Sequence, residues 1–200
     1  MALLGDLQMP EVGDAVPRTH GPLTAALGRF MIRVRGWRFE GEVPNEPKMI
    51  LLVAPHTSNW DFLTGLWAKF ALRLKAGFLA KHTLFWWPLG VFLRSIGGIA
   101  IDRSKASGIA DDSARAFREN ERLMLVIAPE GTRSKSKRWK SGFHRIAVAT
   151  DVPILLVGFD YPRKVIRFGP LYRVTGDYEK DLAEVQSHFD AGMARRPENY

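Results

Sequence analysis

The chain has 200 residues, 46% of them hydrophobic and 25% charged, which excludes a disordered protein and fits a globular domain with a substantial core. It has no cysteine, which excludes disulfides, thiolate metal sites and cysteine nucleophiles. With 29 basic and 21 acidic residues the net charge is +8, which favours an anionic partner such as a membrane, a phosphorylated substrate or nucleic acid.

Residues 1–40 are predicted to form an N-terminal segment ahead of a main domain at 41–200. Residues 1–22 are irregular, and their acidic start is unlike a secretory signal. Residues 23–38 predict a helix that runs into a strand. Such a helix either lies in a membrane interface or packs on the domain with its arginines in solvent. Its apolar residues are Leu23, Leu27, Phe30, Ile32 and Val34, and its basic residues are Arg29, Arg33, Arg35 and Arg38.

The run MILLVAPH at residues 49–56 predicts the first buried strand. A continuous apolar run of this length is typical of a strand covered on both faces. Pro55 ends the run, because proline has no N–H to donate to a strand partner. The next segment, 61–75, has apolar residues at helical spacing and predicts a helix. His56 is therefore expected at the carboxyl edge of the sheet, where ligands bind in α/β folds.

The segment TLFWWPLGVFL at residues 83–93 follows a predicted short strand at 76–80 and predicts a helix or helix pair broken at Pro88. It is too short to cross a bilayer, which takes about 20 apolar residues. Its aromatic side chains could line an acyl tunnel or enter a membrane interface, but the general burial of aromatic residues favours the protein core. These side chains are Phe85, Trp86, Trp87 and Phe92.

The second half of the chain continues the alternation of strands and helices. The run LMLVIAPE at residues 123–130 echoes 49–56 and ends in Glu130. This alternation predicts an α/β fold, a single domain with a largely parallel or mixed central sheet flanked by helices. The remaining predicted strands are at 98–104, 152–160 and 164–170, and the predicted helices are at 106–122, 143–150 and 178–194.

His56 and Asp61 in HTSNWD are candidates for a catalytic dyad. On one regular helix their side chains would point about 140° apart, so they meet only if His56 lies in the loop and Asp61 in the first helical turn. A carboxylate at one imidazole nitrogen would leave the other free to take a proton from a hydroxyl. The alternative is a capping box with Ser58 as N-cap, and Asp61 could serve in both arrangements.

The turn PEGTRS carries a second group of candidates. Gly131 allows close approach to a ligand, Thr132 offers a hydroxyl, and Arg133 can hold an anion in bidentate fashion. Glu130 could orient a substrate hydroxyl. Arg103 follows another predicted strand, and two arginines at neighbouring strand ends would form a phosphate pocket. The alternative is an ordinary turn with surface arginines.

A basic loop follows this turn. Beside a phosphate pocket it would contact a coenzyme A phosphate, an acidic carrier protein or lipid headgroups; otherwise it is simply solvated. Its residues are Arg133, Lys135, Lys137, Arg138 and Lys140. The sequence has no serine-hydrolase elbow, no phosphate-binding loop and no metal-ligand spacing among its five histidines, so we expect no metal site.

Four blocks in order resemble the glycerolipid acyltransferase family, typified by the 1-acylglycerol-3-phosphate acyltransferases. They are His56-(four residues)-Asp61, GGIAIDRS, PEGTRS and the VPI at 152–154, and the resemblance covers roughly residues 48–160. It implies transfer of a fatty acyl group from acyl-CoA or acyl carrier protein (acyl-ACP) to the free hydroxyl of a lysophospholipid. The acceptor implied is 1-acylglycerol-3-phosphate, and the product is phosphatidate.

The resemblance also implies roles for single residues. Backbone amides near the His56 turn could stabilise the developing oxyanion. No covalent enzyme intermediate is required and no cofactor is expected, because the acyl thioester is a co-substrate. The implied roles are general base for His56, its orienting partner for Asp61, acceptor phosphate binding for Arg103 and Arg133, and acceptor positioning for Glu130 and Gly131.

The sequence lacks the clear transmembrane helix that is common in this family, so residues 23–38 and 83–93 are the candidates for membrane attachment. We expect a cytoplasmic protein, peripheral to the cytoplasmic face of an anionic membrane surface. One alternative is the same chemistry on another lysolipid, such as a lyso-aminolipid. A second is a non-catalytic basic module that binds anionic lipid. Nucleic-acid binding rests on charge alone and is not expected.

Overall fold

The computed structural model describes residues 7–19, 21–101, 106–136 and 138–200, and this part of the chain forms a sheet flanked by helices. The strands are β1 (Arg38–Glu40), β2 (Lys48–Ala54), β3 (Ala76–Lys81), β4 (Gly98–Ile101), β5 (Leu123–Ile127), β6 (Ile154–Asp160) and β7 (Val165–Tyr172). The α-helices are α1 (Pro22–Val34), α2 (Asn59–Ala71), α3 (Leu89–Ser95), α4 (Ala106–Glu119), α5 (Gly142–Thr150) and α6 (Tyr178–Gln186).

The strands form one sheet in the order β1-β7-β6-β2-β5-β3-β4. The five strands from β6 to β4 are parallel, while β7 runs antiparallel to β6 and pairs in parallel with β1. This confirms the predicted α/β fold with a mixed, largely parallel sheet. β1 ends at Glu40, next to the predicted end of the N-terminal segment. The division of the chain at residue 40 stays a prediction.

β2 lies at the centre of the sheet, and helices cover both of its faces. Its odd-numbered side chains join the core cluster that includes residues of α1 and α2, and its even-numbered ones join the cluster of α4, α5 and α6. Burial on both faces explains why the run is apolar without alternation. The odd-numbered residues are Met49, Leu51 and Val53, and the even-numbered ones are Ile50, Leu52 and Ala54.

α1 packs on α2 through small residues and turns its large apolar side chains outward. Ala25, Gly28 and Ile32 are its buried residues. We call the outward row of α1 the α1 stripe: Leu23, Leu27, Phe30 and Val34, which are 85%, 48%, 60% and 58% exposed. Among the described residues no helix is long and apolar enough to cross a membrane.

The expectation that the aromatic run lies in the core is wrong for three of its four residues. Phe85 packs partly against α2 and α3, whereas Trp86, Trp87 and Phe92 are 59%, 81% and 50% exposed. α3 is only seven residues long and turns Leu93 inward, so the bulky side chains before and beside that contact stay on the outer surface. We call residues 84–92 the aromatic segment.

The closing helix is shorter than predicted. α6 ends at Gln186, and a 3-10 turn forms at Ala191–Met193. The turn brings the end of the Met193 side chain against Gly158 of β6. Met193 is therefore buried as predicted, but it lies on this turn and not on the helix.

Candidate active site

Three neighbouring parallel strands, β6, β2 and β5, end at the same edge of the sheet. Each is followed by a titratable side chain: Tyr161 directly after β6, His56 two residues after β2, and Glu130 three residues after β5. The backbone amide of His56 donates a hydrogen bond of 3.0 Å to Glu130 Oε1. The ends of the two echoed runs therefore meet, and this meeting defines the candidate site.

Asp61 connects the loop after β2 to the start of α2. Its Oδ2 accepts hydrogen bonds of 2.8 Å from the amides of Thr57 and Ser58 and lies 3.6 Å from His56 Nδ1. Ser58 is the N-cap of α2, and its hydroxyl accepts from the Trp60 amide. The capping box and the His–Asp proximity thus occur together, as the sequence allowed.

The His56–Asp61 contact is the candidate dyad. At 3.6 Å it is longer than a hydrogen bond, and such contacts often tighten only when substrate binds. The Asp61 side chain is fully buried, while that of His56 is 18% exposed. A buried carboxylate at Nδ1 leaves Nε2 as the nitrogen that can accept a proton from a substrate hydroxyl.

Three backbone amides of this turn hold carboxylates. The amide of His56 donates to Glu130, and those of Thr57 and Ser58 donate to Asp61. Two buried carboxylates next to the turn require such donors. The expectation that backbone amides near the turn stabilise an oxyanion stays a prediction.

Glu130 is 5% exposed, and its Oε2 has no hydrogen-bond partner among the described residues. Burial raises the pKa of Glu130 to about 7 against the opposing effect of its backbone hydrogen bonds, with a smaller raising contribution from the charge of Asp61. The carboxyl thus supports the His56 loop through Oε1. Its second oxygen is buried without a partner among the described residues, and the expected contact of Glu130 with a substrate hydroxyl stays a prediction.

The residues after Glu130 form an exposed turn. Gly131 has φ of 64°, and a Cβ there would lie 2.7 Å from Lys140 Cε, so the lysine side chain crosses this turn. The amide of Lys140 donates to the Pro129 carbonyl, which returns the basic loop to the site. Thr132 and Arg133 are both exposed. Thr132 Oγ1 accepts from the Ser134 amide.

Arg103 lies outside the described residues, and nothing in the structure bears on its predicted role. The strand that precedes it, β4, does not neighbour β5, because β3 lies between them. The expectation of two arginines at neighbouring strand ends is therefore wrong for the strands themselves. β4 and β5 follow each other along the chain, which suggested that they are neighbours. The crossover connection between them instead places β3 in between.

Sequence analysis missed Tyr161 and the C-terminal segment. The Tyr161 hydroxyl donates a 2.6 Å hydrogen bond to Asp61 Oδ1. It is the first residue after a predicted strand, so the reasoning used for His56 would have found it. The Arg196 amide donates to Thr57 Oγ1, and the Asn199 side chain donates to the Thr57 carbonyl. No sequence signal marks those last contacts.

Trp60 lies at the start of α2, four residues beyond His56, and is 38% exposed. The Arg35 guanidinium lies 4.4 Å from its ring centroid, and that of Arg195 lies 5.0 Å away. Arg195 is also 5.7 Å from the ring of Tyr161. The carboxyl edge is therefore positively charged on its α1 side as well as in the basic loop.

Known proteins are similar to this chain over much of its length. A family model described as Acyltransferase matches residues 37–160. The chain is 27% identical over 161 residues to 1-acyl-sn-glycerol-3-phosphate acyltransferase of Streptococcus pneumoniae (strain ATCC BAA-255 / R6), covering 76% of this chain and 58% of that protein. It is 37% identical over 83 residues to the Cocos nucifera protein of the same name, covering 38% of this chain and 27% of that protein.

A third protein of that name, from Limnanthes douglasii, is 29% identical over 114 residues, covering 54% of this chain and 40% of the relative. The chain thus spans less than two thirds of the length of each of these relatives. Among solved structures, the 1-acyl-sn-glycerophosphate (LPA) acyltransferase PlsC from Thermotoga maritima superposes with a TM-score of 0.58 at 17% identity, covering 83% of this chain and 76% of that chain. This last likeness is one of fold.

Proposed function

Because the chain belongs to the acyltransferase family, we propose that it transfers a fatty acyl group from an acyl thioester to the free hydroxyl of 1-acylglycerol-3-phosphate, forming phosphatidate. The observation that carries the proposal is the His56–Asp61 pair at the carboxyl edge of β2. The names of the three curated relatives support the acceptor. Family membership also confirms the resemblance of the four sequence blocks.

In the proposed reaction His56 Nε2 removes the proton from the acceptor hydroxyl as its oxygen attacks the thioester carbonyl. The new carbon–oxygen bond gives a tetrahedral intermediate. Its collapse breaks the carbon–sulfur bond, and His56 returns the proton to the departing thiolate. Asp61 keeps Nδ1 protonated and stabilises the imidazolium that forms between the two transfers. No acyl-enzyme and no resident cofactor are required.

Arg133, and Arg103 by the family resemblance, are proposed to hold the acceptor phosphate, with Thr132 and Glu130 beside the glycerol. The basic loop is proposed to meet the donor, either the phosphates of acyl-CoA or the acidic surface of acyl-ACP. Support comes from the Lys140 side chain, which crosses Gly131 next to Glu130. A cation there would attract either donor.

The protein is further proposed to act on the surface of an anionic membrane, on its cytoplasmic face. Both the α1 stripe and the aromatic segment belong to elements that pack on α2, the helix that begins at the site. Exposed large apolar side chains beside arginines are typical of proteins that lie in a membrane interface.

Acyl transfer by wild type and His56→Ala tests the proposal, with acyl-CoA and acyl-ACP as donors and lysophosphatidate or phosphate-free lysolipids as acceptors. We expect phosphatidate from the wild type and a loss of roughly 10²–10⁴-fold in His56→Ala, the usual contribution of a general base. His188→Ala is the matched control, because His188 also lies 3.6 Å from a carboxylate, that of Glu184, but just beyond the end of α6.

The other outcomes are equally informative. Product only with another lysolipid would keep the chemistry and change the acceptor. Binding to vesicles without acyl transfer from any donor would contradict the proposed enzymatic function. It would favour the non-catalytic module that binds anionic lipid. Equal losses in the two histidine variants would remove His56 as the base.

A further inference from the structure

Among the described residues, two triplets of side chains have the order tyrosine–aspartate–histidine. At the candidate site Tyr161 donates to Asp61 Oδ1, and Asp61 Oδ2 faces His56. Far from it, Tyr172 donates 2.7 Å to Asp181 Oδ1, and Asp181 Oδ2 lies 2.7 Å from His144 Nε2. Tyr172 pairs with the first residue of β6, and Tyr161 follows its last residue. The two triplets therefore lie at opposite ends of β6.

The two triplets differ in the number of hydrogen bonds that the aspartate accepts and in the exposure of the histidine. Asp181 also accepts from the amides of Thr175 and Gly176 and from the Thr175 hydroxyl, and His144 is 5% exposed. That set is closed and ties β7 to α5 and α6. His56, in contrast, has the more exposed ring, with its side chain 18% exposed. The triplet at the carboxyl edge therefore has the more accessible histidine and the aspartate with fewer hydrogen bonds.

Tyr161 is held firmly where it donates. Its ring packs edge-on against Trp37 with the centroids 5.0 Å apart, and its amide donates to the Met193 carbonyl. Burial, together with the hydrogen bond to Asp61, raises the pKa of Tyr161 above its ordinary value. The phenol therefore stays protonated and remains a donor across the range in which the site would work.

We propose that Tyr161 is a positioning residue for the catalytic histidine: its hydroxyl fixes the rotation of the Asp61 carboxylate, so that Oδ2 faces His56 Nδ1 and the imidazole keeps its proton on that nitrogen. The inference rests on the proposed function for its catalytic consequence. The loop amides alone do not fix this rotation, because both donate to Oδ2 and leave Oδ1 to Tyr161. Without that bond Oδ1 would be a buried oxygen lacking its donor.

The test compares Tyr161→Phe with Tyr172→Phe, which removes the equivalent tyrosine hydroxyl from the other triplet. In Tyr161→Phe we expect kcat to fall by at least about tenfold, from the loss of a hydrogen bond to a carboxylate, with KM for both substrates within about twofold. Tyr172→Phe is expected to lower Tm and to leave kcat unchanged. A smaller effect of Tyr161→Phe on kcat, or an equal loss in Tyr172→Phe, overturns the proposal.

A second readout does not need turnover. Nitrogen-15 NMR reports which imidazole nitrogen carries the proton, and His56→Ala identifies the His56 signals. We expect the Nδ1–H form in the wild type and in Tyr172→Phe, and a mixture of tautomers in Tyr161→Phe. An unchanged tautomer in Tyr161→Phe overturns the proposal whatever kcat does. Absence of acyl transfer in the wild type, with the tautomer shift present, would instead count against the proposed function alone.

Discussion

The fold changes the acid–base chemistry of Glu130. Its carboxyl is buried beside Asp61, and its Oε2 has no partner among the described residues. A buried carboxyl prefers its neutral form, so the folded protein binds this proton up to a pH of about 7, whereas the unfolded chain releases it near 4.5. The native state therefore loses stability as the pH rises through this window, and the loss persists above it.

We expect Glu130→Gln to be more stable relative to wild type at pH 8 than at pH 5, by about 2–3 kcal/mol in unfolding free energy. The amide oxygen can still accept from the His56 amide, while the buried charge is gone. Urea unfolding at the two pH values measures the difference. Glu119→Gln, at an exposed position on α4, controls for the loss of a carboxylate. A difference in unfolding free energy between Glu130→Gln and wild type that does not change with pH would show that Glu130 ionises normally.

α1 is held to the domain by a close approach of two helix backbones. A Cβ at Gly28 would lie 2.4 Å from the Ala71 amide nitrogen and 2.8 Å from both the Phe70 Cβ and the Trp67 carbonyl. Glycine at this position lets α1 lie against α2, and that contact presents the α1 stripe outward. The helix interior gains nothing from glycine itself, since alanine is the better helix former.

We expect Gly28→Ala to lower the unfolding free energy by about 1–3 kcal/mol, because the added methyl group collides with backbone that cannot move freely. Gly108→Ala in α4 is the matched control, since a Cβ there has nothing within 4 Å. That change is expected to stabilise by up to about 1 kcal/mol through helix propensity. Denaturant unfolding of the two variants measures both free energies. Stabilisation of similar size in both would contradict close packing at Gly28.

The whole molecule has apolar surfaces that its own chain does not cover within the described residues. The α1 stripe and the aromatic segment expose large side chains, up to 85% for Leu23 and 81% for Trp87. The same molecule has a net charge of +8, with two arginines at Trp60, and such charge favours anionic partners. Together these features suit a bilayer surface that carries negative lipid.

We expect the double variant Phe30→Ser, Trp87→Ser to fold normally and to bind anionic vesicles at least about tenfold more weakly, because two apolar contacts with the bilayer are lost. Co-sedimentation with phosphatidylglycerol-containing vesicles measures this. Val148→Ser is the control, since Val148 is 51% exposed but lies on α5, which covers the other face of the sheet. An equal loss in the control would show that binding does not use these two elements.

Much of the site could be predicted from the sequence because it depends on local rules. An apolar run ended by Ala-Pro puts His56 and Glu130 just past buried strands, and the capping box puts Asp61 in the first turn of α2. Because His56 lies in the loop before that turn, the Asp61 carboxylate can face its ring. Those relations involve neighbours along the chain, so spacing and residue type determined them.

The tertiary structure alone decided what lies across the sheet and at its surface. Strand order put β3 between β4 and β5, and a separate 3-10 turn, not α6, places Met193 beside Gly158. Tyr161 reaches Asp61 across 100 residues of sequence, through the pairing of β6 with β2. The exposure of the aromatic segment also depended on which side of a short helix met α2. The sequence by itself therefore determined the strands, the helix start and the chemistry at each strand end, while packing between distant segments determined which of these groups meet, since such contacts leave no periodic trace in the chain.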